Sequence, residues 1–199
     1  MLSYQDEIRR IVVGRHIPSL LHFTQTANLK GILRHGLLPR TKLAVLEYTA
    51  YASAQHRLDD SDEAISVSIS EFNSVMFASK RIKSGHNDWV VLGLSPEILW
   101  THICRFCWSS AAKKEIKNHR GWRGGPWAFE EMFAGSDEAR GGLERCYPTD
   151  PEAEVQVLEP IAADHILGAV VGRLGMVEPV KELLRGLPGG SRPVLLDEW

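Results

Sequence analysis

Four side chains in this sequence have the types needed to hold and cleave a charged, hydroxyl-rich ligand: His22, Thr24, Arg57 and Glu154. Glu154 opens the apolar run Val155-Gln156-Val157-Leu158 after a long polar stretch. A carboxylate at that point can accept hydrogen bonds from sugar hydroxyls and stabilise a developing cation, or it can simply face solvent. Arg57, in His56-Arg57-Leu58-Asp59-Asp60, can grip a diphosphate with two parallel hydrogen bonds or pair with one of the aspartates beside it. His22 and Thr24 alternate within Leu21-His22-Phe23-Thr24, at the end of a strand-like run and just before a short amphipathic helix. There they can stand at the mouth of a cleft, or His22 can be hydrogen-bonded inside.

Several chemistries are excluded by what is missing. The chain has no GxGxxG fingerprint, no phosphate-loop lysine motif, no HExxH and no GxSxG, which argues against a conventional dehydrogenase, a phosphate-loop NTPase, a zincin or an α/β-hydrolase. Three cysteines cannot make a four-thiolate zinc site; Cys104, Cys107, Cys146 and a histidine such as His119 form an irregular alternative, and buried free thiols account for them as well. Net charge is −2, so no global field draws in nucleic acid. Local cationic runs exist at Lys80-Arg81-Ile82-Lys83 and from Lys113 to Arg120. The second is flanked by aromatic and glycine-rich residues, a composition compatible with a nucleic-acid groove or with an ordinary solvated face. No apolar run approaches a membrane span, and Met1 to Glu7 lacks the basic and apolar parts of a signal peptide; residence in the cytoplasm is the expectation.

The elements that must position these residues follow from periodicity. A chain of 199 residues suits one domain, with a Gly- and Pro-rich tail from about 186 expected to be loosely held. Helices are expected over 4–13, 26–35, 72–81, 109–119, 127–134 and 176–186, with a further turn after Ser95-Pro96. Thr26 has the right type for the cap of the second and Gly36 for its stop. Strands are expected over 20–24, 64–70, 88–94, 153–158 and 165–171; Ala64-Ile65-Ser66-Val67-Ser68-Ile69-Ser70 alternates cleanly and so has one polar face. Residues 41–55 have weak periodicity and suit a cover over a site. Long loops and polar alternation favour an α+β fold over a doubly wound parallel sheet.

In order and spacing, these pieces resemble the DarT family of ADP-ribosyltransferases. The resemblance runs through Ile17-Pro18-Ser19-Leu20-Leu21-His22-Phe23-Thr24, Asn28-Leu29, Ile32-Leu33-Arg34-His35-Gly36-Leu37-Leu38-Pro39, His56-Arg57-Leu58-Asp59, the 64–70 strand, Met76-Phe77, Trp89-Val90-Val91-Leu92 and Tyr147-Pro148-Thr149-Asp150-Pro151-Glu152-Ala153-Glu154-Val155. It covers about residues 17–170, and leaves Trp100 to Glu131 without a motif-level match. It implies an α+β ADP-ribosyltransferase-like split mixed sheet with a central NAD cleft and surrounding helices. It implies transfer of ADP-ribose from NAD to a base in single-stranded DNA without a metal, by a toxin whose mark a macrodomain-type antitoxin removes. RNA or protein as acceptor, or a non-catalytic nucleic-acid-binding module of the same fold, are the alternatives.

Carried over residue by residue, the resemblance makes Glu154 the catalytic glutamate and Arg57 the arginine beside the diphosphate and reacting centre. His22 and Thr24 become the strand residues at the nicotinamide–ribose half of NAD, and Asn28, Gly36 and Leu37 the helix and turn near the cofactor. Tyr147, in the loop preceding Glu154, becomes the stacking candidate for the acceptor; Phe77, Lys80 and Arg81 are further candidates for binding the substrate. Glu154, Arg57 and His22 are expected to converge on one cleft.

Overall fold

In the computed structural model, the residues described are 3–46, 62–85, 88–119, 121–136 and 138–199. Their strands are β1 (Leu20–Gln25), β2 (Ile65–Ile69), β3 (Trp89–Leu94), β4 (Cys104–Cys107), β5 (Glu154–Val157), β6 (Ile166–Val171) and β7 (Val194–Leu196). They form one seven-stranded sheet in the order β4-β5-β2-β1-β3-β6-β7. Every pairing is antiparallel except β6 with β7, so the sheet is mixed. The helices are α1 (Tyr4–Arg15), α2 (Leu29–His35), α3 (Arg40–Val45), α4 (Ser74–Ser84), α5 (Ile98–Thr101), α6 (Lys114–Lys117), α7 (Pro126–Glu131) and α8 (Leu174–Leu184). This is the expected α+β class.

The sheet is split in its middle. β1 meets β3 at six consecutive positions but meets β2 only at Leu20 opposite Ile69 and Leu21 opposite Ser68. Continued, that register would set Phe23 opposite Ser66. Instead the His22 ring occupies the opening, with Nδ1 2.9 Å from the Ser66 carbonyl oxygen. A side chain thus replaces a backbone rung, and the two halves of the sheet separate from that point.

Alternation gives the two faces different contents. Leu20, Ile65, Val67, Ile69, Val90, Leu92, Val155 and Val157 turn to one face, where Ile8, Val12, Leu29, Ile32, Phe129 and Val180 of the helices complete the main core. On the other face Phe23, Trp89 and Val91 pack with Phe77 of α4, and Cys107 packs with Ala111 and Ile116.

Four local expectations change. Thr26 does not cap α2: residues Thr26–Asn28 form a 3-10 turn, Asn28 stands at the cap position in a helical conformation, and its amide is engaged with Thr24 instead. Cys104 and Cys107, three apart on β4, fall on opposite faces of the sheet, Cys104 in the main core and Cys107 beside Ala111. They cannot ligate one zinc ion, and burial pushes the Cys104 thiol up to about 12. The stretch after Trp100, expected to be helical only later on, begins with β4. The tail from 186 is held rather than loose, because β7 adds to β6, and Trp199 lies 5.2 Å from the Phe77 ring.

Candidate active site

The face of the β4–β5–β2 half that turns away from the main core carries a polar strip. Register pairs Ser66 with Gln156 and Cys107 with Glu154, so alternation sets Ser66, Ser68, Glu154 and Gln156 side by side. Glu154 and the two serines are half-buried and Gln156 is 1% exposed. Burying polar groups in an otherwise apolar sheet is costly unless they serve as partners for something. The strip lies between two covers. On one side stands the Phe77 cluster of α4, and on the other the Cys107–Ala111–Ile116 cluster.

Glu154 is held by a backbone group. The Ala111 N–H donates to its Oε1 at 2.9 Å, which aims the carboxylate from the first residue of β5. The segments on either side of that contact are themselves tied together. Ser109 donates to Asp150 Oδ2 at 2.5 Å, and the Lys113 ammonium lies 2.6 Å from Ser109 Oγ, 2.6 Å from Glu152 and 3.4 Å from Asp150. Burial raises the Asp150 pKa, but hydrogen bonds from the Ser109 hydroxyl and the Glu152 N–H, with the Lys113 charge, outweigh it and hold the carboxyl below its usual value. Lys113 is pushed up, chiefly by its hydrogen bond to Glu152. Asp150, Glu152 and Glu154 are spaced two apart, and each grips the strand-to-helix connection after β4. Sequence reading had found only the last of the three; their i, i+2, i+4 spacing was the available signal, whereas the Ala111 N–H had none.

The other expected residues divide into those brought together and those left apart. His22 reaches Ser66, and because a carbonyl can only accept, Nδ1 is the donor in this contact. Thr24 is buried, and its hydroxyl accepts from the Asn28 amide at 2.9 Å. His22, Thr24 and Asn28 therefore form one set. Gly36 and Leu37 lie one helix further on, about 10 Å away along α2. Gly36 has φ +80°, and a Cβ there would stand 2.4 Å from the Ile161 carbonyl oxygen. Leu37 is in the core and exchanges both backbone hydrogen bonds with Ile161. These two residues shape the turn that joins α2 to the segment after β5.

Phe77 is 2% exposed and surrounded by Phe23, Phe72, Trp89 and Trp199. No face of its ring is open to a base, so it supports the cover rather than stacking on an acceptor. Lys80 and Arg81 sit on that cover, over the Phe23 and Phe77 rings at 5.1 and 5.6 Å. Tyr147 is half-buried and packs against the main core, where burial first and then nearby charges raise its pKa. Arg57 lies outside the described residues.

The expected convergence of Glu154 and His22 on one face is not found. By register, Leu20, His22 and Thr24 share one face and Glu154 with Ser66 and Ser68 the other. The two sets adjoin at the opening between β1 and β2, where His22 Nδ1 meets the Ser66 carbonyl. Among the described residues no group of three or more His, Cys, Asp or Glu is arranged to hold a metal ion.

A family model described as DarT, the ssDNA thymidine ADP-ribosyltransferase, matches residues 21–198. The chain belongs to the DarT family. It is thus an ADP-ribosyltransferase by family, and the split mixed sheet is that fold. The structure of Thermosipho africanus DarTG in complex with ADP-ribose is similar with a TM-score of 0.58 and 14% identity, over 90% of this chain and 50% of that one. Our chain therefore spans half the length of that protein. Thermus sp. 2.9 DarT in complex with NAD+ is similar with a TM-score of 0.55 and 18% identity, over 90% of this chain and 94% of that one. The same DarT in complex with ADP-ribosylated ssDNA gives 0.61 and 17%, over 92% and 95%. No curated protein matches the chain in sequence.

Proposed function

We propose that this DarT-family chain transfers ADP-ribose from NAD to a thymidine base of single-stranded DNA, with Glu154 as the catalytic carboxylate. The observation that carries the assignment is a carboxylate aimed by the Ala111 N–H from a polar strip at the split of the sheet. The strip suits a ribose-rich substrate: the hydroxyls of Ser66 and Ser68 and the Gln156 amide can exchange hydrogen bonds with sugar hydroxyls, and His22 and Thr24 stand on the other side of the opening.

Glu154 would act where charge develops. As the bond from ribose C1′ to the nicotinamide nitrogen breaks, its electron pair returns to the pyridine ring, and C1′ acquires oxocarbenium character. A fixed negative charge facing that carbon stabilises the transition state more than the ground state. The base nitrogen then forms the new bond to C1′ and releases its proton to solvent. His22 and Thr24, restrained by Ser66 and Asn28, would orient the nicotinamide–ribose half, and Arg57 would hold the diphosphate. A base must leave its stack to reach such a site, which makes a single strand the cheaper acceptor.

The same reading makes the protein a cytoplasmic toxin whose product a macrodomain-type antitoxin reverses. Among the described residues no helix is long and apolar enough to cross a membrane. The test is to incubate the protein with labelled NAD and separate pools of single-stranded DNA, duplex DNA, RNA and protein. Label is expected on thymidine-containing single strands. Label confined to RNA or protein would replace the acceptor, and no label on any pool would leave a non-catalytic module.

A further inference from the structure

Away from the polar strip, a cavity of about 650 Å³ opens between the end of α1 and the loop that leads to Glu154. Its lining includes Arg10, Arg15, Arg140 and Arg145, with Phe133 and a single described carboxylate, Glu130. Four guanidinium groups against one carboxylate is a strong local excess in a chain whose net charge is −2.

Two of the four are already oriented. Arg15 lies 4.0 Å over the Phe133 ring and donates to the Arg145 carbonyl at 3.2 Å. Arg140 donates to Thr149 Oγ1 at 2.7 Å and to the Tyr147 carbonyl at 3.1 Å. Arg10 and Arg145 are exposed. Among the described residues none of the four forms an ion pair. Burial first, and then the charges of Arg140 and Arg145, push the Arg15 pKa down against the opposing pull of Glu130. A tetrahedral anion with several acceptor oxygens would offset that positive charge, and the planar guanidinium fork matches phosphate geometry.

We infer that this cavity holds a backbone phosphate of the DNA strand whose base is modified. The inference rests on the function proposed above. A strand fits better than a small anion because Arg140 and Arg145 belong to the same loop as Tyr147 and Thr149, which runs into Glu154. The strand would follow this loop from Glu154, round to the α1 side where the four arginines stand. A protein with no overall basic field also needs such a local concentration of charge to retain a strand.

The test compares the wild type with Arg10→Gln/Arg145→Gln, which alters the two exposed guanidinium groups and spares the oriented pair. Binding of a fluorescent thymidine-containing 20-mer is measured by anisotropy between 50 and 300 mM salt, alongside NAD affinity by calorimetry and a melting curve. We expect strand binding to weaken about tenfold and the slope of log K against log salt to become shallower by about 0.7 to 1.4, the loss of one or two phosphate contacts on a single strand. NAD affinity should be unchanged, and Arg10→Lys/Arg145→Lys should recover most of the slope. An unchanged slope, or one that lysine does not restore, overturns the inference. Weakened NAD binding with normal strand binding overturns it too, by assigning the cavity to the diphosphate. If the wild type labels no single strand, the proposed function itself fails; labelling with an unaltered slope removes only the phosphate site.

Discussion

The two faces of this sheet are built from the same strands by the same alternation, yet they are opposite in character. On one, Val155 and Val157 of β5 join Phe106, Phe129 and Met132 in a continuous apolar core. On the other, Glu154 and Gln156 of that strand lie between two small apolar clusters, within a strip that no single cluster covers. Neighbouring residues one peptide apart thus serve different ends. The core face gains from area removed from water, which is non-directional. The polar face gains only if each group has a partner in the right direction. Substitutions on the first should change stability while sparing the chemistry of each folded molecule, and substitutions on the second should do the reverse.

The largest effect should come from the core face. Phe129 is fully buried, with its ring 4.7 Å from that of Phe106, and Phe129→Ala should lower the unfolding free energy by about 3–5 kcal/mol. Denaturant titration measures the loss; transfer per folded molecule at low temperature should stay near wild type. On the polar face of β5, Glu154→Gln should cut single-turnover transfer by roughly 10²-fold or more, with NAD affinity little changed and the melting curve intact. A stable variant with near-normal turnover on thymidine and guanosine strands would remove Glu154 from catalysis, and the contrast between faces would lose its main support.

A smaller loss should appear at the turn that closes α2. Gly36→Ala forces a Cβ toward the Ile161 carbonyl oxygen at positive φ, and should cost about 1–3 kcal/mol, measurable by melting, with reduced transfer only through the fraction unfolded.

The mildest test concerns the network beside Glu154. Asp150 has its folded pKa below the unfolded value, so its contribution is present above the ordinary carboxylate range and is lost as pH falls through the folded pKa. Stability of Asp150→Asn should therefore lie below wild type at neutral pH and approach it in acid. A constant gap across pH would mean that the ionised form is not what Ser109 and Lys113 hold.

Much of this arrangement was legible because strands and helices report themselves locally. The alternation of Ile65 to Ile69 and the run from Trp89 to Leu94 carry their own period, and both strands stand within a residue or so of expectation. β4 was missed because Cys104-Arg105-Phe106-Cys107 is too short to show a period and follows the turn Ile98–Thr101 without a break. β7 was missed for a related reason: three residues in a Gly- and Pro-rich tail become a strand only because β6 offers an unpaired edge. Phe77 was named as a candidate for binding the substrate, and only packing shows that Phe23, Trp89 and Trp199 surround it.

By itself the sequence determined which residues alternate, hence that Glu154, Gln156, Ser66 and Ser68 are polar positions on otherwise apolar strands. It also determined the family, through the order of motifs from Leu21 to Val155. Only the tertiary structure decided that these four positions become neighbours, since side-by-side placement depends on strands that lie far apart in sequence. It alone decided where the sheet opens, with the His22 ring taking the Ser66 carbonyl in place of a backbone rung. It alone supplied the Ala111 N–H that aims the catalytic candidate. A backbone donor leaves no mark in residue type, because every residue but proline carries one, and its direction is set only when the chain has folded.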